Sequence, residues 1–312
     1  MKKNHITLAQ LQAFATVAEV GSFTTASEVL GMTQSAVSHS IASLEKELRV
    51  SLLDRDRNGI FLTEIGKRVL VQAQEILFRV EQIRQETAAA VGLETGKVRL
   101  GSFPSVTARF LPGLLRQFRQ HYPGIDVVLL EGTDDEVLEW INSRAVDVGV
   151  VALPVEDLET IAIAQDEFLA VVSASHPLAE RDRIHIRQLA QDPFIMSKVG
   201  CKPIIVKMFR QAKIDPKIQF EAIDLRTIFS MVQEGMGVTI VPEMSLPDNL
   251  TGFRILNLEP KRLRRLAFAL PSLETASPAV KIFLHQARNW AESQHYLIPE
   301  KQNPLARQLE GS

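Results

Sequence analysis

Among the 312 residues there is one cysteine, Cys201. A lone thiol excludes an internal disulfide and any multi-thiolate metal site. Long hydrophobic runs are missing as well. None approaches the roughly 18 apolar residues a membrane helix needs, which excludes an integral membrane protein. No apolar stretch of about 7–15 residues follows Met1-Lys2-Lys3, so no secretory signal is expected and the cytoplasm is the expected location. Excess charge of one sign is also absent, since Lys+Arg 35 against Asp+Glu 37 leaves −2. Even residues 1–68 hold eight basic and seven acidic side chains, so nucleic-acid binding has to be argued from geometry, not from bulk charge.

Catalytic patterns are scarce. His5, His39, His121, His176, His185, His285 and His295 include no pair three or four apart, the spacing that metal ligands on one helix face require. Gly235-Met236-Gly237 precedes a strand-like run and opens no helix, so it is no dinucleotide fingerprint. Ser173, Ser175 and His176 crowd one loop-like stretch, from which no triad can be inferred. An enzyme is not expected, nor a cofactor or a metal.

What is present is an ordinary globular composition, 46% apolar and 23% charged. The length suggests about two domains. The first helix opens at Thr7 with Gln10 three residues on, a capping box. Leu8, Leu11, Phe14 and Val17 then recur at helical spacing until Gly21. Ser22 can cap a short second helix carrying Phe23, Ala26 and Leu30. Gly31-Met32 makes a turn, and Thr33 can cap a third helix running to about Leu48. Val37, Ile41, Leu44 and Leu48 form its apolar stripe, which leaves Ser35, Ser38, His39 and Ala42 on the other side.

Two helices around a tight turn, the second with small polar residues early on its free face, describe a helix-turn-helix. Small hydroxyl side chains let a backbone approach the major groove, and Ser or His can reach base edges or phosphates. The same pattern suits a merely solvated face of a three-helix core. The next segment, SLLDRDRNGIFLT over 51–63, favours DNA. Its Asn58-Gly59 is a strong hairpin signal, and Arg55 and Arg57 would meet phosphates or the minor groove. Pairing of those arginines with Asp54 and Asp56 is the alternative.

The run over residues 8–67, LAQLQAFATVAEVGSFTTASEVLGMTQSAVSHSIASLEKELRVSLLDRDRNGIFLTEIGK, resembles the N-terminal domain of LysR-type transcriptional regulators, densely and without gaps. The resemblance implies that Phe23–Ala42 is the helix-turn-helix and that Arg55 and Arg57 lie in the wing. DNA-contacting positions would be Thr33, Ser35, Ser38, His39, Ser40, Arg55 and Arg57, and the partner would be double-stranded operator DNA. Many members carry Arg or Lys where this chain has His39, and often Gln where it has Ser40, so the base preference does not carry over.

Residues 64–92 read as one long linker helix. Val69, Ala73, Ile76, Val80, Ile83, Thr87 and Ala90 recur alternately four and three apart, a coiled-coil seam. Val69, Ile76, Val80 and Ile83 are the predicted inter-subunit positions of a homodimer or homotetramer, an assembly with which the resemblance agrees.

From Lys97 the chain alternates strand-like and helix-like segments, which predicts a largely parallel α/β sheet covered on both faces. The overall expectation is an α/β protein with an N-terminal all-α winged helix-turn-helix (6–63) and the linker helix. A two-lobed domain over 96–296 follows, lobe 1 covering about 96–165 plus 266–296 and lobe 2 about 166–265. A polar tail, 297–312, is expected to fray. HPLA at 176–179 and EGMGVTIVP at 234–242 extend the LysR resemblance more loosely through this part. The resemblance implies a periplasmic-binding-protein-like effector domain with its cleft between the lobes, and RNA polymerase as a further partner.

Ligands in such sheets sit at the carboxyl ends of strands, near helix N-termini. Ser102 and Ser105 mark one such junction, Ser197 to Lys202 a second and Thr133 a third. For any single hydroxyl, capping of a helix is the plainer role; recurrence at strand ends is what points to a site. With Lys198 or Lys202 adding charge, a small anionic metabolite is expected there, with Ser102 its most valuable contact. Cys201 stands beside these lysines, where a thiolate would be favoured. Peroxide-sensing LysR-type members carry a reactive cysteine in a similar location, but no second cysteine here could resolve it, so a packing or pocket role is expected. A ligand-independent architectural DNA binder is the alternative function.

Overall fold

A computed structural model describes residues 5–56, 59–90, 94–198 and 200–296. Arg57, Asn58 and the expected tail lie outside these. The chain divides into two compact units, Met1–Leu93 with Asn142–Ala145, and Glu94–Ile141 with Val146–Ser312.

The first unit begins with three short helices, α1 (Leu8–Val20), α2 (Phe23–Leu30) and α3 (Gln34–Leu48). Each starts at the predicted cap. Thr7 and Gln10 form the reciprocal capping box, Ser22 accepts from the Thr25 N–H, and Thr33 accepts from the Ala36 N–H. Gly31 stops α2 in the left-handed region at φ 62°, where a Cβ would be strained. Leu11, Phe14, Val17, Val37, Ile41, Leu44 and Leu52 are buried together as the core of the unit. A hairpin follows, β1 (Leu53–Asp56) antiparallel to β2 (Gly59–Leu62), then the long helix α4 (Glu64–Ala90). Gly66 lets α4 lie against the hairpin's base, since a Cβ there would stand 2.1 Å from the Leu52 carbonyl oxygen.

In the second unit β3 (Gly96–Ser102), α5 (Pro104–Arg109), α6 (Leu111–His121), β4 (Ile125–Glu131), α7 (Asp134–Asn142) and β5 (Val148–Ala152) form most of one lobe. The long strand β6 (Glu159–Ser173) then crosses into the other lobe, made of β7 (Arg183–Ile184), β8 (Pro193–Ser197), α8 (Lys202–Gln211), β9 (Lys217–Ala222), α9 (Leu225–Gln233), β10 (Thr239–Pro242) and β11 (Phe253–Leu258). Strand β12 (Leu263–Leu270) returns to the first lobe, and α10 (Pro278–Ser293) packs on it. The order is β4-β3-β5-β12-β6-β11-β7, with β10 also on β6 and a separate parallel pair β8-β9.

The sheet is mixed where a largely parallel one was expected. β3 runs parallel to β4 and β5, but β12 is antiparallel to β5 and β6, and β10 and β11 are antiparallel to β6. The cause is the pair of crossover strands. One 15-residue strand serves both lobes, and its neighbour β12 runs back beside it. Read from the sequence, these strands start at Phe168 and Leu266, which leaves Gln165-Asp166-Glu167 and Arg264-Arg265 outside them. They are instead interior strand residues, and Asp166 and Arg264 are buried.

Candidate DNA-binding face and effector cavity

On α3, Ser35 and His39 are exposed and Ser38 is half-buried. The Thr33 hydroxyl caps the helix at 3.2 Å from the Ala36 nitrogen and lies 3.0 Å from the Ser35 hydroxyl. Ser40 is half-buried and donates to the Ala36 carbonyl of its own helix at 2.9 Å, which uses its hydroxyl proton. Gln34, Ala42 and Lys46 are exposed as well. Sequence reading passed over Gln34 and Lys46, although extending the Ser35–His39–Ala42 spacing by one turn reaches Lys46.

The hairpin is held to α3 by Glu45, whose Oε1 accepts from the Leu52 N–H at 2.7 Å and the Leu53 N–H at 3.2 Å. Arg55 sits in β1 opposite Ile60. On α4, Val69 is half-buried against its own unit's core, where Ala73 is also buried. Val69 therefore already packs in part against the helices and hairpin of its own unit. Further along, Val80 is half-buried, whereas Ile76 and Ile83 are 45% and 61% exposed.

In the second unit a cavity of about 400 Å³ opens between the lobes. Phe103, Ile205, Leu225, Ile240 and Val241 supply apolar wall, and Ser105, Thr133, Asp134, Ser197, Cys201 and Arg264 are polar lining residues. Of the six predicted effector positions, Ser105, Thr133, Ser197 and Cys201 are brought together here. Ser102 and Lys202 are not. Ser102 is fully buried and points its hydroxyl at the Phe103 carbonyl, 3.4 Å away. The parity of a strand explains this: the residue that ends β3 faces the core, and the cavity is met by the helix turn beyond it. Lys202 reaches sideways to Glu221 on β9 at 2.6 Å, so its charge is spent on that pair. Lys198 is exposed and does not line the cavity. The anion expected from the sequence loses both its lysines.

The cation at the floor is one that sequence reading missed. Arg264 of β12 is 3% exposed and holds Asp166 of β6 in a two-pronged pair, Nε to Oδ1 at 2.8 Å and Nη2 to Oδ2 at 2.6 Å. Its Nη1 reaches Ser105 Oγ at 3.2 Å and Cys201 Sγ at 3.6 Å, and its guanidinium lies over the Phe103 ring. Asp166 also accepts from the Met244 N–H at 3.2 Å. A buried guanidinium thus touches a crossover strand, the first lobe through Ser105 and the second through Cys201.

Burial pushes the Cys201 thiol up to about 11 against the partial pull of Arg264. A thiolate is therefore disfavoured there despite the neighbouring lysines, because Lys202 is turned away and desolvation dominates. Burial also raises Asp134, the first residue of α7, partly offset by Arg264. Thr133 and Glu136 cap α7 reciprocally, the Thr133 N–H donating to Glu136 Oε2 at 2.7 Å and the Glu136 N–H to Thr133 Oγ1 at 3.2 Å. The Thr133 backbone N–H, and after it the Thr133 side chain, hold the Glu136 carboxyl below its usual range by hydrogen bonding to it. Among the described residues no group of three or more His, Cys, Asp and Glu side chains could hold a metal ion, and no described helix is long and apolar enough to cross a membrane.

Residues 8–67 match the family model described as bacterial regulatory helix-turn-helix protein, lysR family, and residues 92–292 match the LysR substrate binding domain. The uncharacterized HTH-type transcriptional regulator YvbU of Bacillus subtilis is 40% identical over 289 residues, 91% of this chain and 98% of that protein. A full-length OxyR variant from Pseudomonas aeruginosa has the same fold at a TM-score of 0.74 and 22% identity, covering 91% of this chain and 95% of that one. Full-length CbnR complexed with its target DNA superposes at 0.65 with 23% identity, covering 91% and 99%. With the winged helix-turn-helix and the two-lobed effector-binding domain both in place, the chain belongs to the LysR family of bacterial transcriptional regulators and is not an enzyme.

Proposed function

We propose that α3 and the wing bind duplex operator DNA in the cytoplasm, and that a small effector in the interlobe cavity biases how the subunits present those elements to DNA and RNA polymerase. The observation that carries the reading is the cavity itself. It lies where crossover strands join two lobes, and its floor residue Arg264 bonds to both, so an occupant would act on the lobe arrangement. The likeness to CbnR, a structure complexed with its target DNA, supports the role of α3 and the wing. Exposed Ile76 and Ile83 fit burial against a second copy of α4. A charge there should give monomers, so an Ile83→Lys protein that sediments as an oligomer would count against that interface.

The test concerns DNA. Ser38 and His39 are assigned to base edges, and Arg55 and Arg57 to phosphates. Arg55→Ala should weaken binding to every sequence and lower the slope of log affinity against log salt by about 0.9, one phosphate contact. His39→Ala should chiefly change which sequences are retained when random duplexes are selected and read. Equal losses on random DNA from both substitutions would reject this division.

A further inference from the structure

We propose that the cavity receives a small molecule carrying a protonated amine on an apolar body, with the ammonium seated on Asp134. The inference rests on reading this cavity as the effector site and adds the ligand's charge. Its apolar walls call for a hydrocarbon body, so the polar end of the ligand is what the floor and rim must select.

Among the described lining residues Arg264 is the sole cation, and both prongs of its pairing go to Asp166. A ligand anion would find that guanidinium already neutralised. The carboxylates divide differently. Glu136 is engaged in capping α7 and Asp224 in capping α9, where it accepts from the Arg226 N–H. Glu131 is an exposed rim residue. Asp134 forms no salt bridge among the described residues, and the cationic influence on it is that of Arg264, which only partly offsets its burial. Asp134 lines the cavity beside Cys201, within reach of Gly200, and burial disfavours its charge.

A carboxylate ligand would therefore enter against Asp134 and the acidic first turn of α7, Asp134-Asp135-Glu136. An ammonium would supply the charge that Asp134 lacks, and the Ser105 and Ser197 hydroxyls can accept its remaining protons.

The test titrates the full-length protein by calorimetry with three probes that share a phenyl body: 2-phenylethylamine, 2-phenylethanol and 3-phenylpropanoate. The amine should bind most tightly and the carboxylate least. Asp134→Asn, which keeps the side chain's size, should weaken the amine about tenfold or more while changing the alcohol little. Ser197→Phe, which fills the cavity, should abolish amine binding. Thermal melts of both variants establish that they fold. A carboxylate that outcompetes the amine, or an amine indifferent to Asp134→Asn, would overturn the charge assignment. If Ser197→Phe abolished that binding, the effector reading would survive. Amine binding unchanged in Ser197→Phe would place it outside the cavity and overturn both. No binding by the amine at about 10 mM would overturn the ligand class.

Discussion

The exposed face of α3 and the floor of the effector cavity both gather hydroxyl and charged side chains, yet they manage the cost of polar groups differently. On α3 the buried work is done by Val37, Ile41 and Leu44, and Ser35, His39 and Lys46 stay in water until a partner arrives. Nothing there has to be satisfied in advance. At the cavity floor, Arg264 and Asp166 lie out of water, so each must be satisfied by the fold itself. The first arrangement leaves affinity to be collected on binding, and the second commits charge to holding two lobes in register. Changes to α3 should therefore show in binding with stability intact, whereas changes at the floor should show first in stability.

The largest expected effect breaks the buried pair. Arg264→Met strands Asp166 with one remaining backbone donor, and Asp166→Leu strands the guanidinium. Losing one partner of a buried pair costs about 3–5 kcal/mol. Chemical denaturation should show the unfolding of the second unit shifted by this amount. The double variant Arg264→Met/Asp166→Leu should recover most of the loss, since two apolar side chains leave no unpaired charge. A double variant as unstable as either single one would mean that the pair acts through packing shape.

A smaller effect is expected where the first unit does bury a polar commitment. Glu45 satisfies two backbone N–H groups at the base of the wing. Glu45→Ala leaves both donors unmet, at about 1–3 kcal/mol. Faster amide exchange at Leu52 and Leu53 and weaker DNA binding should follow together. Unchanged exchange at those amides would show that the wing stands without its tether to α3, and the first unit would then hold no buried polar commitment there.

The same contrast governs what the sequence could reveal. Caps at Thr7, Ser22 and Thr33, the stops at Gly21 and Gly31, the apolar stripes and the pairing of β1 with β2 are local, because each is set by residues within a few positions of each other. The helix-turn-helix was legible for that reason, down to the exposure of Ser35 and His39 on α3. The cavity depends on Asp166 meeting Arg264 across 98 positions. No spacing rule reports such a meeting, and each partner falls just outside the strand that its local sequence suggests. Lys202 misled for the same reason. It stands beside Cys201 in the chain, but Glu221, on a strand parallel to β8, draws it away. Hydroxyls at strand ends were a sound guide to the cavity and a poor guide to which hydroxyl faces it, as Ser102 and Ser105 show.

Cys201 carries the smallest expected effect and tests how dry the floor is. Its thiol is pushed up to about 11 by burial, from an ordinary value near 9.0. At pH 8 a thiol raised in this way has a thiolate fraction about 100-fold below that of an unfolded cysteine. Iodoacetamide should accordingly modify the native protein at least that much more slowly than the denatured chain. Linkage fixes a sign as well. Between pH 9 and pH 11 the unfolded thiol ionises while the folded one keeps its proton, so this group's contribution is intact below pH 9 and declines as pH rises toward 11. Cys201→Ser removes that decline. A serine hydroxyl can also accept from Arg264 Nη1, so stability at neutral pH should change by no more than about 1 kcal/mol. Native Cys201 that alkylates as fast as in the denatured chain would mean a wet, thiolate-bearing floor. The distinction between a face that waits for its partner and a floor already satisfied by the fold would then fail at this residue.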